Sequence, residues 1–362
     1  MLSSGNTSLK LRLAQLIELR QLENSGKKIH VVGTSSPTLA AALASDYDAW
    51  DGGQPRLILV SSHAELKPLK ECLQFFAPKK EIFLLPGFDV EPYSGLYPNP
   101  QLTSARIRWL SQAQDSQPGQ IFIASLPGIL QKTIPFGRLM AAKFQITKGD
   151  TIDSQFFQRL EALGYHSATI VDTFGAYSRR GGILDLFSPH HLLPLRLELF
   201  GDTLESIRPF QPESQRSHDD ELESFVILPP REVIYSEEDL QNIVDRYKST
   251  TVGREINNFD LESILHSLSQ QQYFPGIEFL ISQFYPDAET PLDHFCRPIS
   301  LISLDPLEIA RSKDQNWSAL QKTFEEASHN AIRPRPEELS ADWESLNWPD
   351  KKNQIEFSKI HL

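Results

Sequence analysis

The sequence predicts an α/β protein in which a parallel sheet with helices on both faces accompanies a small α+β domain. Short apolar runs such as Arg56–Val60 (RLILV) alternate with helical segments, and this order is typical of parallel strands buried on both faces. A second pattern, the strict alternation of Leu195–Phe200 (LRLELF), indicates a strand with one face in a core and the other in water. The two patterns occupy different parts of the chain and therefore predict two kinds of sheet.

The first region, residues 1–135, carries most of the parallel-sheet pattern. Its predicted strands are Lys28–Val32, Arg56–Val60, Ile82–Leu85 and Ile121–Ala124, and its predicted helices include Ser36–Leu43 and His63–Phe76. An amphipathic helix is predicted before them, through Leu11, Leu13, Leu16, Ile17 and Leu19. Strand and helix in repeated succession predict a doubly wound sheet.

The second region, residues 136–227, is predicted to be the small α+β domain. A helix over Gln155–Leu163 is followed by a meander of short strands, with turns at Gly181-Gly182 and Gly201-Asp202. The ten histidines are scattered, and the pair His190-His191 is expected to be solvated in a turn rather than to bind metal.

The outward face of the strand Leu195–Phe200 has two interpretations. Arg196, Glu198 and Phe200 share this face, and arginine and large aromatic side chains are those that binding hot spots favour. Alternatively, Phe200 covers the sheet edge and Arg196 only pairs with Glu198. The alternation by itself leaves both interpretations open.

The third region, residues 228–310, returns to α/β patterning. Helices are predicted near Ser236–Tyr247 and Asn258–Leu268, and strands near Ile277–Leu280 and Ile299–Leu304. The last stretch, residues 311–362, has polar helix-like pieces and is predicted to be a surface helix and linker.

Composition narrows the function classes. The 362 residues carry a formal net charge of -12, which opposes tight binding of phosphate backbones by the whole surface. Two cysteines, Cys72 and Cys296, allow at most one disulfide bridge, so the cytoplasm is the expected compartment. No apolar run approaches the length of a membrane span, so no membrane partner is expected.

A nucleotide site is predicted to be absent where a phosphate-binding loop would stand. Such a loop needs G-x-x-x-x-G-K-[ST] between a strand and a helix, with the lysine reaching the phosphates. Here the first strand leads into Gly33, Thr34, Ser35, Ser36 and Pro37, with neither the second glycine nor the lysine. We therefore predict a degenerate site, no cofactor and no catalytic residue or metal in this chain.

A family resemblance rests on several segments in a fixed order, over roughly residues 10–310. The segments are Leu84–Tyr93 (LLPGFDVEPY), Ser104–Arg108, Ile123–Lys132, Tyr177–Ser188 (YSRRGGILDLFS), Leu195–Asp202 (LRLELFGD), Glu205–Arg216, Ile227–Glu232 (ILPPRE) and Gly276–Phe279 (GIEF). Together they resemble the N-terminal, UvrB-like part of the transcription-repair coupling factors (the Mfd family). Phe88 stands where tryptophan is common in that family.

The resemblance implies a particular domain order. Residues 1–135 correspond to a degenerate, helicase-like (P-loop-type) domain 1a, and residues 228–310 to domain 1b, which packs back on it. Residues 136–227 correspond to an inserted domain like domain 2 of UvrB, and residues 311–362 remain a tail. The parallel-sheet domain is then discontinuous.

The resemblance also implies a partner and its contact residues. In the transcription-repair coupling factors and in UvrB, this domain is the docking surface for UvrA. The family's contact positions align with Arg180, Arg196 and Phe200, and Arg179 is a second basic residue beside the first. We expect Arg196→Ala or Phe200→Ala to weaken UvrA binding and to leave folding intact. ATP with Mg²⁺, RNA polymerase and DNA are expected only for parts of a full-length protein outside this chain.

Two other functions stay open at this point. One is a divergent helicase-like nucleotide hydrolase, which the missing lysine opposes. The other is a non-specific DNA-binding module, which the acidic balance opposes.

Overall fold

The computed structural model describes residues 29–45, 54–249, 258–270, 272–274, 276–327, 334–350 and 354–359. The amphipathic helix predicted near Leu11–Leu19 lies outside the described residues. In chain order the strands are β1 (Ile29–Thr34), β2 (Arg56–Val60), β3 (Ile82–Leu85), β4 (Ile121–Ser125), β5 (Phe144–Thr147), β6 (His166–Ser167), β7 (Ala176–Arg180), β8 (Ile183–Leu186), β9 (Leu195–Phe200), β10 (Thr203–Pro209), β11 (Ser224–Ile227), β12 (Ser300–Leu304) and β13 (Gln354–Lys359).

Helices separate most of these strands. The α-helices are α1 (Ser36–Ser45), α2 (Leu66–Phe76), α3 (Pro100–Gln114), α4 (Leu126–Leu130), α5 (Phe136–Ala142), α6 (Ser154–Ala162), α7 (Glu237–Ser249), α8 (Asn258–Ser269), α9 (Ile281–Phe284), α10 (Pro306–Glu326) and α11 (Pro336–Leu339). Short 3₁₀ helices occupy His63–Glu65, Ile277–Leu280, Pro291–His294 and Trp343–Ser345. No helix of the described residues is long and apolar enough to cross a membrane.

The larger sheet is parallel and has the strand order β1-β13-β12-β2-β4-β3. Strand β2 shows why it is buried on both sides. Leu57 and Leu59 pack into one core cluster and Ile58 and Val60 into another. A continuous apolar run thus serves two faces, as the pattern of Arg56–Val60 predicts.

The last strand of this sheet comes from the segment predicted to be a surface helix and linker. Strand β13 lies between β1 and β12, and Ile355 and Phe357 are fully buried there. The prediction for residues 311–362 was therefore incomplete. Two apolar residues in alternation are too short a pattern to identify a strand, and only its neighbours in the sheet bury them.

The smaller sheet has the order β10-β9-β8-β7-β6, and a separate two-stranded sheet pairs β11 with β5. Helix α6 packs on the inner face of the smaller sheet, where Phe156 and Leu160 meet Leu184 and Leu197 in one core cluster. The predicted α/β class, with a parallel sheet and a separate small sheet, is confirmed. The boundaries at 135/136, 227/228 and 310/311 stay predictions.

One predicted strand is wrong. Ile277–Leu280 forms a 3₁₀ helix that begins after Gly276, whose φ is +83°, and it continues into α9. A four-residue apolar run is compatible with a buried strand or a buried helical turn, so periodicity could not distinguish them.

A buried ion pair holds three segments of the chain together. Arg106 of α3 binds the carboxylate of Glu232 through Nε and donates from Nη1 to the carbonyls of Pro86 and Gly128, at 3.0 and 3.1 Å. Thr133 also donates its hydroxyl to Glu232. Because every member is buried and bonded, this network fixes the loop after β11 against α3 and the ends of β3 and β4.

The loop between β8 and β9 packs on α3 as well. Arg108 donates to the carbonyls of Pro189 and His191, at 2.5 and 3.4 Å. Both histidines of this loop are partly buried, and burial lowers the pKa of His191 to about 4. The prediction that His190 and His191 are fully solvated is therefore wrong, because this turn packs against a helix.

Candidate partner-binding surface

The smaller sheet has an inner face in the core and an outer face that is partly open. In β9, Leu195 and Leu197 are buried, whereas Arg196, Glu198 and Phe200 alternate with them on the outer face. The alternation in the sequence therefore predicts the two faces correctly.

Phe200 is the most exposed residue of this face among the large apolar side chains. It is 77% exposed and is the last residue of β9, where it pairs with Thr203 across a turn that begins at Gly201 with φ +63°. Strand β9 lies between β8 and β10, so Phe200 does not cover an edge of the sheet. The alternative that assigned it this role is wrong, and most of the ring is exposed to solvent.

Arg196 is held in place by an intramolecular fork. Its Nε and Nη2 donate to the two carboxylate oxygens of Asp185 on β8, at 2.8 and 2.9 Å, and Nη1 donates to the carbonyl of Gln215 at 3.0 Å. The guanidinium also lies over the ring of Phe210, 4.7 Å from the centroid. The alternative interpretation assumed that Arg196 pairs with Glu198, but its partner is Asp185.

These hydrogen bonds order Arg196 without using all of its N–H donors. Its hydrogen bonds with Asp185 raise the pKa of Arg196 above its ordinary value, so the charge is permanent. A guanidinium has five N–H donors, and the bonds to Asp185 and Gln215 use three of them. The side chain is 20% exposed, so Arg196 is both ordered by its own domain and partly accessible to solvent.

Arg179 and Arg180 lie on opposite faces of β7. Arg180 pairs with Ile183, which in turn pairs with Glu198, so Arg180 shares the outer face with Arg196 and Phe200. Arg179 pairs with Leu184 on the inner side, lies 5.3 Å from the ring centre of Phe157 and binds Asp202 at 3.2 Å. The structure thus brings three predicted residues together and separates the fourth, Arg179, from them.

Two exposed apolar residues near Arg180 were missed by sequence reasoning. Ile183 is 39% exposed next to Arg180, and Ile170 is 55% exposed beside Thr169, whose carbonyl accepts from Arg180. The alternation of Ile183–Leu186 (ILDL) contained the signal for Ile183, whereas Ile170 stands in a loop without periodicity. We call the set Ile170, Arg180, Ile183, Arg196 and Phe200 the outer patch.

The degenerate phosphate-loop position lies at the start of the other domain's first helix. Gly33 and Thr34 end β1, Ser35 follows, and Ser36 and Pro37 begin α1. The hydroxyl of Ser35 accepts from the backbone N–H of Thr38 at 3.4 Å and bonds the Thr38 hydroxyl at 2.9 Å. The chain thus caps this helix end itself, and no lysine follows to reach a phosphate.

The comparisons with known proteins identify the small domain first. Residues 144–232, which include β5 to β11, match the family of the UvrB interaction domain. The outer patch, from Ile170 to Phe200, lies inside this match.

Most of the chain is also similar to the transcription-repair-coupling factors. The identity is 29% over 304 residues for the protein of Myxococcus xanthus, covering 82% of this chain and 23% of that protein. It is 28% over 272 residues for that of Haemophilus influenzae, covering 74% and 23%, and 26% over 305 residues for that of Staphylococcus aureus strain MRSA252, covering 81% and 26%. The resemblance predicted from the motifs is confirmed, and the chain spans about a quarter of the length of these relatives.

Proposed function

We propose that this chain is a non-catalytic adaptor that binds UvrA through the outer patch. In this role it recruits nucleotide excision repair to RNA polymerase stalled at DNA damage. The proposal is supported by the UvrB interaction domain over residues 144–232 and by the likeness to transcription-repair-coupling factors.

The observation that carries the proposal is the exposure of Phe200. A phenylalanine that is 77% exposed contributes little to the core of its own domain. Arg196 lies on the same face of β9, with Glu198 between it and Phe200, and is ordered by Asp185. An exposed aromatic ring and a preorganised arginine on one face form the residue set that dominates binding energy in protein interfaces.

Other activities of such a system belong to a longer protein. We propose that displacement of RNA polymerase and movement on DNA, driven by ATP with Mg²⁺, reside in parts that this chain does not contain. Within this chain the phosphate-loop position has no lysine, and its helix is capped by Ser35. Both features favour an adaptor over a nucleotide hydrolase.

Calorimetric titration of the whole chain with UvrA tests the proposal. Phe200→Ala and Arg180→Ala should each weaken binding by about 1–3 kcal/mol, because each removes a side chain of the outer patch. Arg179→Ala is the matched control: it removes the neighbouring arginine on the other face, and UvrA affinity should stay within about twofold of the wild type.

Equal UvrA affinity in wild type and both outer-patch variants would refute the assignment of this surface. Complete absence of binding by the wild type would remove the adaptor function itself. ATP turnover by the purified chain, reduced in a Gly33 variant, would instead support the hydrolase alternative.

A further inference from the structure

A cavity lies at the carboxyl edge of the larger sheet, far along the strand order from the degenerate phosphate loop. Its volume is about 550 Å³. Its walls come from the loop after β3, from α4, which follows β4, and from α10, which follows β12. Ligands of open α/β sheets bind in crevices at this edge, and cavities of this size accommodate small organic molecules.

Two of the segments that identify the family meet at this cavity. Phe88 and Glu91 come from Leu84–Tyr93, and Glu278 and Phe279 from the segment that begins at Gly276. The rings of Phe88 and Phe279 form an edge contact with centroids 5.5 Å apart. None of these residues belongs to the outer patch, so UvrA binding leaves their arrangement unexplained.

Glu278 is a buried carboxylate whose charge is only partly compensated, by the attraction of Arg231. It is 3% exposed, and neither of its oxygens has a hydrogen-bond partner among the described residues. Burial raises its pKa to about 7, although the attraction of Arg231 acts in the opposite direction. Arg231 itself lies over the ring of Tyr273, 4.4 Å from the centroid. A buried carboxylate in this condition is costly, and a cation nearby would offset the cost.

The opposite wall offers an aromatic face. Trp317 stands on α10, lines the cavity and is 38% exposed. Besides Glu278, the charged residues lining the cavity are three acids and two lysines: Glu91, Asp314, Asp342, Lys132 and Lys313. Lys313 is engaged by Asp314 and Glu344, at 3.8 and 3.7 Å. Indole faces attract cations, so Trp317 and Glu278 favour the same kind of ligand.

We propose that this cavity binds a small organic cation with a flat apolar body, such as an aromatic amidine or guanidine. The apolar body packs between Trp317 and Phe88, and the positive charge is oriented toward Glu278. An anionic or neutral molecule of the same shape satisfies only the packing.

Calorimetry of the whole chain with two matched probes, benzamidine and benzamide, tests this proposal at pH 8. Benzamidine carries a positive charge and benzamide has nearly the same shape without it. We expect benzamidine to bind about tenfold more tightly than benzamide, and to bind more weakly at pH 6, where Glu278 becomes protonated. Glu278→Gln should bring the two probes to within about twofold of each other, whereas Glu205→Gln, a variant of an exposed carboxylate on β10 of the small domain, should preserve the preference.

Three outcomes would overturn the proposal. These are equal binding of the two probes by the wild type, no binding of either, and an unchanged preference in Glu278→Gln. Trp317→Ala provides a second variant should Glu278→Gln fail to fold, because the indole is partly exposed. It should weaken both probes, and unchanged binding of both would also contradict the cavity as their site.

Discussion

Two arginine–carboxylate pairs in this molecule make similar contacts but differ in how deeply they are buried. Arg106 binds Glu232, two backbone carbonyls and the face of Phe88, and Arg196 binds Asp185, one carbonyl and the face of Phe210. The side chains of the first pair are 0% and 3% exposed, and those of the second are 20% and 11% exposed.

The difference shows how one chemical arrangement serves two purposes. The first pair is enclosed and contacts only its own chain, so its role is to join segments of the larger domain. The second pair keeps its arginine ordered at a surface that water can reach. The degree of enclosure, rather than the residue types, separates a structural pair from a candidate binding pair.

The largest expected effect is on the enclosed pair. Glu232→Ala should lower the free energy of unfolding by about 3–5 kcal/mol, because Arg106 is left buried and charged without its partner. Chemical denaturation measures this change, with Glu223→Ala, which removes an exposed carboxylate, as the control. A loss no larger than that of the control would mean that enclosure does not distinguish the two pairs.

The second largest effect is expected from low pH, which should destabilise the larger domain through its buried histidine, His294. His294 donates from Nε2 to the carbonyl of Ile134 at 2.9 Å, and its Nδ1 faces the Nε2 of Gln114 at 3.2 Å, so the neutral ring is satisfied and a second proton would meet a donor. Burial lowers the pKa of His294 from 6.5 to about 4. The unfolded chain then binds more protons than the folded chain between these values, and stability falls as the pH falls through this window.

The loss from His294 should be on the order of 2 kcal/mol between pH 7 and pH 4. Denaturation midpoints at several pH values measure it. His294→Gln should reduce this dependence without abolishing it, because burial also lowers the pKa of His191 to about 4. His63→Gln, which replaces an exposed histidine, should retain the full dependence. An identical pH slope in both variants would show that the enclosed histidine is not its source.

Breaking the exposed pair should cost less. Asp185→Ala should destabilise the chain by about 1–2 kcal/mol, because Arg196 can still reach water. UvrA affinity should also fall, since the guanidinium is no longer oriented. Arg196→Ala should likewise destabilise the chain, because Asp185 is 8% exposed and loses its partner. This differs from the sequence-based expectation that Arg196→Ala leaves folding intact.

The smallest effect on stability is expected for Phe200. Because the ring is 77% exposed, Phe200→Ala should change the free energy of unfolding by less than about 0.5 kcal/mol. Thermal and chemical denaturation alongside the UvrA titration would separate binding from folding at this position. A loss of unfolding free energy comparable to that of Asp185→Ala would indicate that Phe200 stabilises the domain, which would contradict its assignment as a binding residue only.

Local patterns in the sequence determined a large part of this result. The apolar runs specify β2, β3 and β4, because strands buried on both faces need uninterrupted apolar residues. The alternation in Leu195–Phe200 specifies which side chains leave the core, because successive residues of a strand point to opposite faces. The absence of a lysine after Gly33 is likewise visible in the chain alone.

Tertiary structure decided what each of these side chains meets. Alternation along β7 already separates Arg179 from Arg180, but only strand register decided which of them takes the outer face, and it gave Arg196 the partner Asp185, which no spacing within one strand encodes. Neighbouring strands turned the weak pattern of Gln354–Lys359 into part of the larger sheet. A sequence pattern records the periodicity of one segment, whereas cross-strand partners and burial depend on segments far apart in the chain, and these exist only once the chain has folded.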